Sequence, residues 1–171
     1  MAVESYASMV RKKNKELEDF LADACVRAVA EARHTSTFED QTHNLSDSYG
    51  AAVYKDGVLL PNTIAYLSPE AEVAKKWTDG KFHYGHVEMM NYFMNYKPKA
   101  KGYSLVLIAA MPYYAVLEYG GGGLRNKYKV ISGANSFMRD LAKEIDERFG
   151  TGGKFGGRRR QGTTLIRIED K

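Results

Sequence analysis

The chain has 171 residues, 44% of them hydrophobic and 27% charged, with a formal net charge of +4. This is ordinary globular usage, enough to bury a core in one domain, and no stretch approaches the ~20 apolar residues of a membrane span. Charges fall where a secretory signal would have its apolar centre, and a lone cysteine, Cys25, excludes an internal disulfide and fits a reducing compartment.

Residues 4–33 have the pattern of one long helix. Leu17, Leu21, Ala24, Ala28 and Ala32 recur at helical spacing, with Glu16, Glu18, Asp19, Asp23, Arg27 and Glu31 mostly off that stripe. Cys25 lies in the same pattern and reads as a small core residue. A polar connector follows, and residues 45–54 read as a strand. Lys55, Asp56 and Gly57 supply a hairpin turn, because Asp-Gly tolerates positive φ. The return strand covers residues 58–67, with Pro61 placing part of it at an edge or bulge.

Residues 68–101 look like a helical insertion between strands. Ser68 is a good N-cap with Pro69 at the first helical position, for a helix running to Trp77. A second helix or irregular segment spans residues 87–96 and ends before Pro98. Residues 103–111, a continuous apolar run, read as a central strand. A second amphipathic helix covers residues 135–149, with Phe137, Leu141, Ile145 and Phe149 on one face and Gly150 as its stop. Residues 150–162 form a Gly/Arg-rich stretch expected to be a flexible loop, and residues 163–169 alternate like a final strand. The expected fold is therefore α+β in a single domain over 1–171: one antiparallel or mixed sheet packed against both helices.

Four glycines at 120–123 raise the question of a phosphate-binding loop. Such a loop precedes a helix and offers its N–H groups to the anion. Here Pro112 is placed to begin a short helix and Gly120 to end one, so the glycines follow a C-terminus, where carbonyls repel anions. No Lys-Ser or Lys-Thr follows them. A flexible connector is the better reading.

His83 and His86 stand three apart around Gly85, whereas helical zinc ligands usually stand four apart, and no further histidine or cysteine is near. They read as surface or half-buried histidines. No serine sits in a nucleophile elbow, so pattern alone supplies no enzyme, cofactor or metal. Of three basic clusters, those at Arg11 to Lys15 and Lys97 to Lys101 read as solvated surface. The third, Arg158, Arg159 and Arg160 beside Phe155, is the one candidate for contact with nucleic acid or an acidic partner. Twelve tyrosines mark half-buried surfaces and interfaces.

Two segments together resemble a known family. Thr42, Asn44, Leu45 and Ser48 occupy a "T-G-N-L-x-x-S" turn, with His43 where glycine is usual. Tyr114, Ala115, Glu118 and Gly120 occupy a "Y-A-x-x-v-E-x-G" motif after an apolar strand. In this order the motifs resemble the neck or tail-completion family of long-tailed bacteriophages, catalogued as HK-ninety-seven gene-product-ten-like. The insertion at 68–101 and the Gly/Arg-rich segment are longer than that pattern needs.

The resemblance implies a non-enzymatic structural protein of the virion, made in the host cytoplasm and assembled as a homo-oligomeric ring at the head–tail junction or tail end. Its partners would be other neck, connector or tail proteins, with DNA within reach of the basic segment. On that reading Thr42 and Asn44 organise the turn entering the hairpin. Tyr114 and Tyr119 pack on the sheet or on a neighbour. Glu118 either caps local N–H groups or pairs with a basic residue of an adjacent subunit; Glu118→Gln is expected to leave folding intact and weaken assembly.

Overall fold

A computed structural model describes residues 4–38, 44–67, 76, 79–98, 101–120, 128–150, 153–158 and 163–168; within the last two stretches only Ile166 and Ile168 have described side chains. The fold is α+β. Helix α1 spans Tyr6–Thr35, its first turn closed by Ser5, whose side chain accepts from the Ser8 N–H at 3.2 Å. A single turn, α2, covers Asn44–Asp47 and leads into the hairpin of β1 (Tyr49–Lys55) and β2 (Val58–Ala65). Helix α3 is Gly85–Asn95, β3 is Tyr103–Ala109 and the short α4 is Tyr114–Tyr119. A 3-10 turn at Ser132–Ala134 runs into α5, Asn135–Phe149, and the chain returns through β4 (Gly153–Arg158) and β5 (Thr163–Ile168).

The five strands form one sheet in the order β2-β1-β3-β5-β4, and every pairing is antiparallel. The central position expected for the apolar run is the one β3 takes, and all seven of its residues are buried. Successive side chains of a strand point to opposite faces. Accordingly Leu105 and Leu107 join the layer of α1 and α5, while Val106 and Ile108 join that of α3. Small residues at Ala24, Cys25, Ala28 and Ala32 let α1 lie close on the sheet. Burial pushes the Cys25 thiol pKa well above its ordinary value, consistent with an inert core group. On the opposite face α3 contributes Met89 and Phe93, which pack over Ala52, Tyr54, Val106 and Ile108.

Local chemistry accounts for the turns. Asp56 and Gly57 have φ of 50° and 81°, the doubly positive geometry that a two-residue hairpin turn requires. The Asp56 carboxylate also accepts from the Gly102 N–H at 2.8 Å, tying the hairpin tip to the start of β3. The register of β1 on β2 shifts between Ala51 and Val53, opposite the part of β2 that holds Pro61. Thr63 fills the gap: its hydroxyl accepts from the Val53 N–H at 2.9 Å and donates to the Leu60 carbonyl at 2.7 Å. Helix α5 buries Met138, Leu141, Ala142, Ile145 and Phe149, with Phe137 half-buried, and stops at Gly150 in left-handed geometry.

Two expectations need correction. The strand read over residues 45–54 begins only at Tyr49, because Asn44–Asp47 closes into a helical turn. The Gly/Arg-rich stretch read as a loop at 150–162 contains the edge strand β4, held by β5 from Gly153↔Ile168 to Arg158↔Thr163. The helix expected from Ser68 to Trp77 and the glycines at 121–123 lie outside the described residues.

Candidate functional site

Both motif segments stand at one end of the sheet. Tyr49, the first residue of β1, pairs with Ala109, the last of β3, and the Ala110 N–H donates to the Ser48 carbonyl at 3.2 Å. The α2 turn and α4 therefore emerge side by side. Within α2, Leu45 enters the core, and the Ser48 hydroxyl donates back to the Leu45 carbonyl at 2.7 Å. The Asn44 side-chain oxygen accepts from the Gly85 N–H at 3.3 Å, docking α2 on the start of α3. Thr42 lies outside the described residues.

Glu118 forms the hub of the second motif. It is only 6% exposed, and its carboxylate accepts from the N–H groups of Val130 at 2.7 Å, Ile131 at 3.0 Å and Ser132 at 3.3 Å. Those donors open the 3-10 turn that runs into α5. Helix α5 has no acidic residue in its first turn and no side-chain cap of its own. Glu118 thus supplies, from a different helix, the negative charge and acceptors that a helix start favours. Of the two roles the resemblance allowed, the geometry is that of local capping, and both carboxylate oxygens are engaged in it.

Neighbouring bonds complete the frame. The Tyr49 hydroxyl donates to the Val130 carbonyl at 2.7 Å, and the Tyr128 N–H to the Leu117 carbonyl at 2.8 Å. Thr37 and Lys129 exchange two bonds at 2.8 Å, joining the end of α1 to the same segment. Tyr114 is buried, 3.5 Å from the Tyr119 hydroxyl. Burial, then that contact and the Glu118 charge, push its phenol pKa far above the ordinary range. Tyr119 is exposed. Gly120 ends α4 with φ of 77°, and its N–H donates to the Val116 carbonyl at 2.9 Å, so this first glycine of the run does terminate a helix. An open groove of about 430 Å³ lies beside the motif, lined by Tyr92, Tyr96, Met111, Pro112, Tyr114 and Ala115 among others.

The two histidines part company. His83 is held by Glu88 at Nδ1 and Asp79 at Nε2, each 2.7 Å away, while His86 packs edge-on against Tyr66. Among the described residues no group of three or more His, Cys, Asp or Glu is arranged to hold a metal. Hydrogen bonds from Glu88 and then Asp79 raise the His83 pKa, and bonds from the Lys81 N–H and His83 lower that of Asp79. A raised histidine pKa stabilises the fold fully below the unfolded value of about 6.5 and is lost as pH rises through the folded value. A lowered Asp pKa acts above about 4 and is lost toward lower pH. Nearby Lys81 favours the Asp79 carboxylate. We therefore expect the Asp79–His83 link to be intact from about pH 4 to above 6.5 and to open on alkalinisation. An NMR titration of the His83 ring checks this; a midpoint at or below 6.5 is the contrary result.

Of the basic candidates, Arg158 ends β4, and Arg159 and Arg160 lie outside the described residues. Sequence reasoning missed Gly85. Its signal was a glycine two residues inside a histidine pair at the start of a helix, and its meaning becomes clear only from the backbone of Asn44 against it. Comparison with known proteins finds no matching family model, no matching curated protein and no matching solved structure.

Proposed function

We propose that the chain is a non-enzymatic structural subunit of a tailed-bacteriophage virion, a neck or tail-completion component that forms a ring at the head–tail junction. The observation that carries this reading is the meeting of the two motif segments, distant in sequence, at one end of β1 and β3. Residues picked out by the resemblance work there as a scaffold: Leu45 in the core, Ser48 closing a turn and Glu118 gathering backbone donors. A scaffold of this kind presents a rigid surface to neighbours, with Tyr119, Pro112 and the groove beside Tyr114 on its outer side. Its partners are copies of itself and other neck, connector or tail proteins. Arg158, with which β4 ends, and the Arg159 and Arg160 next to it in sequence are the candidates for contact with DNA or an acidic neighbour.

Quantitative mass spectrometry of purified particles tests the reading. The expected result is a fixed ratio to the major capsid protein of the order of a six- or twelve-membered ring. Absence from intact particles overturns it. Steep salt-dependent DNA binding that disappears on substitution of the three arginines would then favour a nucleic-acid module.

A further inference from the structure

The first three turns of α1 stand clear of the rest of the fold. Residues 4–16 are exposed, Asn14 alone being half-buried, and burial begins at Leu17. The overhang is about 16 Å long at roughly 1.5 Å per residue. Yet its apolar residues continue the buried stripe. Tyr6, Met9 and Val10 precede Leu17, Leu21 and Ala24 at helical spacing, and they are 83%, 55% and 39% exposed. A helix end this short draws little stability from propensity alone and normally relies on a packed face.

Beside the overhang runs an open groove of about 1250 Å³, walled on the far side by Arg148, Phe149 and Gly150. Along the α1 wall Glu4 stands at the far end, Lys12 and Lys13 follow it, and Glu16, Asp19 and Asp23 line the half nearer the body, with Arg148 on the other wall. Phe20 lies in the acidic half, edge-on to Phe149 and under the guanidinium of Arg148.

This wall is complementary to itself. An antiparallel copy of α1, related by a two-fold axis between Asn14 and Lys15, sets Lys13 opposite the second copy's Glu16 and Met9 opposite its Phe20. Tyr6 then faces the second copy's Asp23, the carboxylate that pairs with Arg27 at 3.2 Å. Each contact occurs twice, as an isologous interface requires. Burial begins at Leu17 in each copy, so the two bodies lie toward opposite ends of the helix pair.

We infer that the groove is covered by the same groove of a second copy, giving a two-fold dimer built on the α1 overhang. The occupant is another copy rather than a different protein because one symmetry operation pairs Lys13 with Glu16 and Met9 with Phe20, each twice, while it sets Val10 opposite Asp19. The dimer is a property of the free subunit, separate from any ring in the particle, and it stands or falls independently of the virion reading. Its contact is small, so the association is weak.

Sedimentation equilibrium of the full chain, from roughly 1 µM to 1 mM, tests the inference with two charge reversals, Lys13→Glu and Glu16→Lys. Both residues are exposed, and circular dichroism confirms that each variant folds. The wild-type chain is expected to dimerise. Either variant alone places like charges opposite each other twice and should weaken association by about tenfold or more. An equimolar mixture of the two should recover wild-type association. In the mixed dimer the new carboxylate faces the new ammonium, and native Glu16 faces native Lys13. A wild-type chain that stays monomeric, association unmoved by either variant, or a mixture that fails to recover would each overturn the proposal.

Discussion

Replacing Gly85 by alanine is expected to cost about 3 kcal/mol or more of folding stability, although alanine is the better helix former. A Cβ at this position would fall inside the carbonyl of Asn44 and within 2.8 Å of the Ser48 N–H nitrogen. Both obstacles are backbone, so no side-chain rotation relieves them. Accommodation requires α2 to move off α3, which breaks the bond from the Gly85 N–H to the Asn44 side chain and shifts the entry to β1. Gly80 makes the control. It has φ of 75° and open space around it, so Gly80→Ala incurs only local backbone strain of about 1 kcal/mol. Urea unfolding of both variants checks the contrast. Equal midpoints would mean that α2 and α3 are not packed this closely.

Removal of the Glu118 carboxylate should be of similar size. Glu118→Ala leaves the N–H groups of Val130 and Ile131 buried without their acceptor and takes the charge from the start of α5. Charge-assisted bonds contribute about 1.5–3 kcal/mol each and are not additive within one group, so the expected loss is about 3–5 kcal/mol. Glu118→Gln keeps one acceptor oxygen but turns an NH₂ toward donors, and is expected to lose about 2 kcal/mol. This reverses the expectation from sequence, in which the glutamine variant folds normally and fails only in assembly. Urea unfolding with amide exchange at Val130 and Ile131 distinguishes the two. Native stability with unchanged protection in Glu118→Gln would return Glu118 to an interface role.

These two residues also show where sequence reasoning stops. The Asp56-Gly57 turn, the central β3 and the whole of α5 were legible because their causes are local: positive φ, an unbroken apolar run, a four-residue apolar repeat ending in glycine. Gly85 and Glu118 were legible as residue types but not as contacts, since their partners come from other elements. Residues 45–47 read as strand because a four-residue turn leaves no periodicity to detect. The Gly/Arg-rich segment read as loop from its composition, and pairing with β5 overrides that preference. The motif residues told which positions to watch; only the register of β1 on β3 told that they meet.

The strand order has a consequence for how the sheet comes together during synthesis. Strand β5 is the last of the five to leave the ribosome, yet it lies between β3 and β4. Until it emerges, one whole side of the most apolar strand has unpaired N–H and C=O groups, the arrangement most prone to join another chain. The β4–β5 hairpin must therefore dock as a unit onto a half-built sheet, closing contacts of high sequence separation in a late and comparatively slow step. Strand β4 is then the finished edge of the sheet on that side.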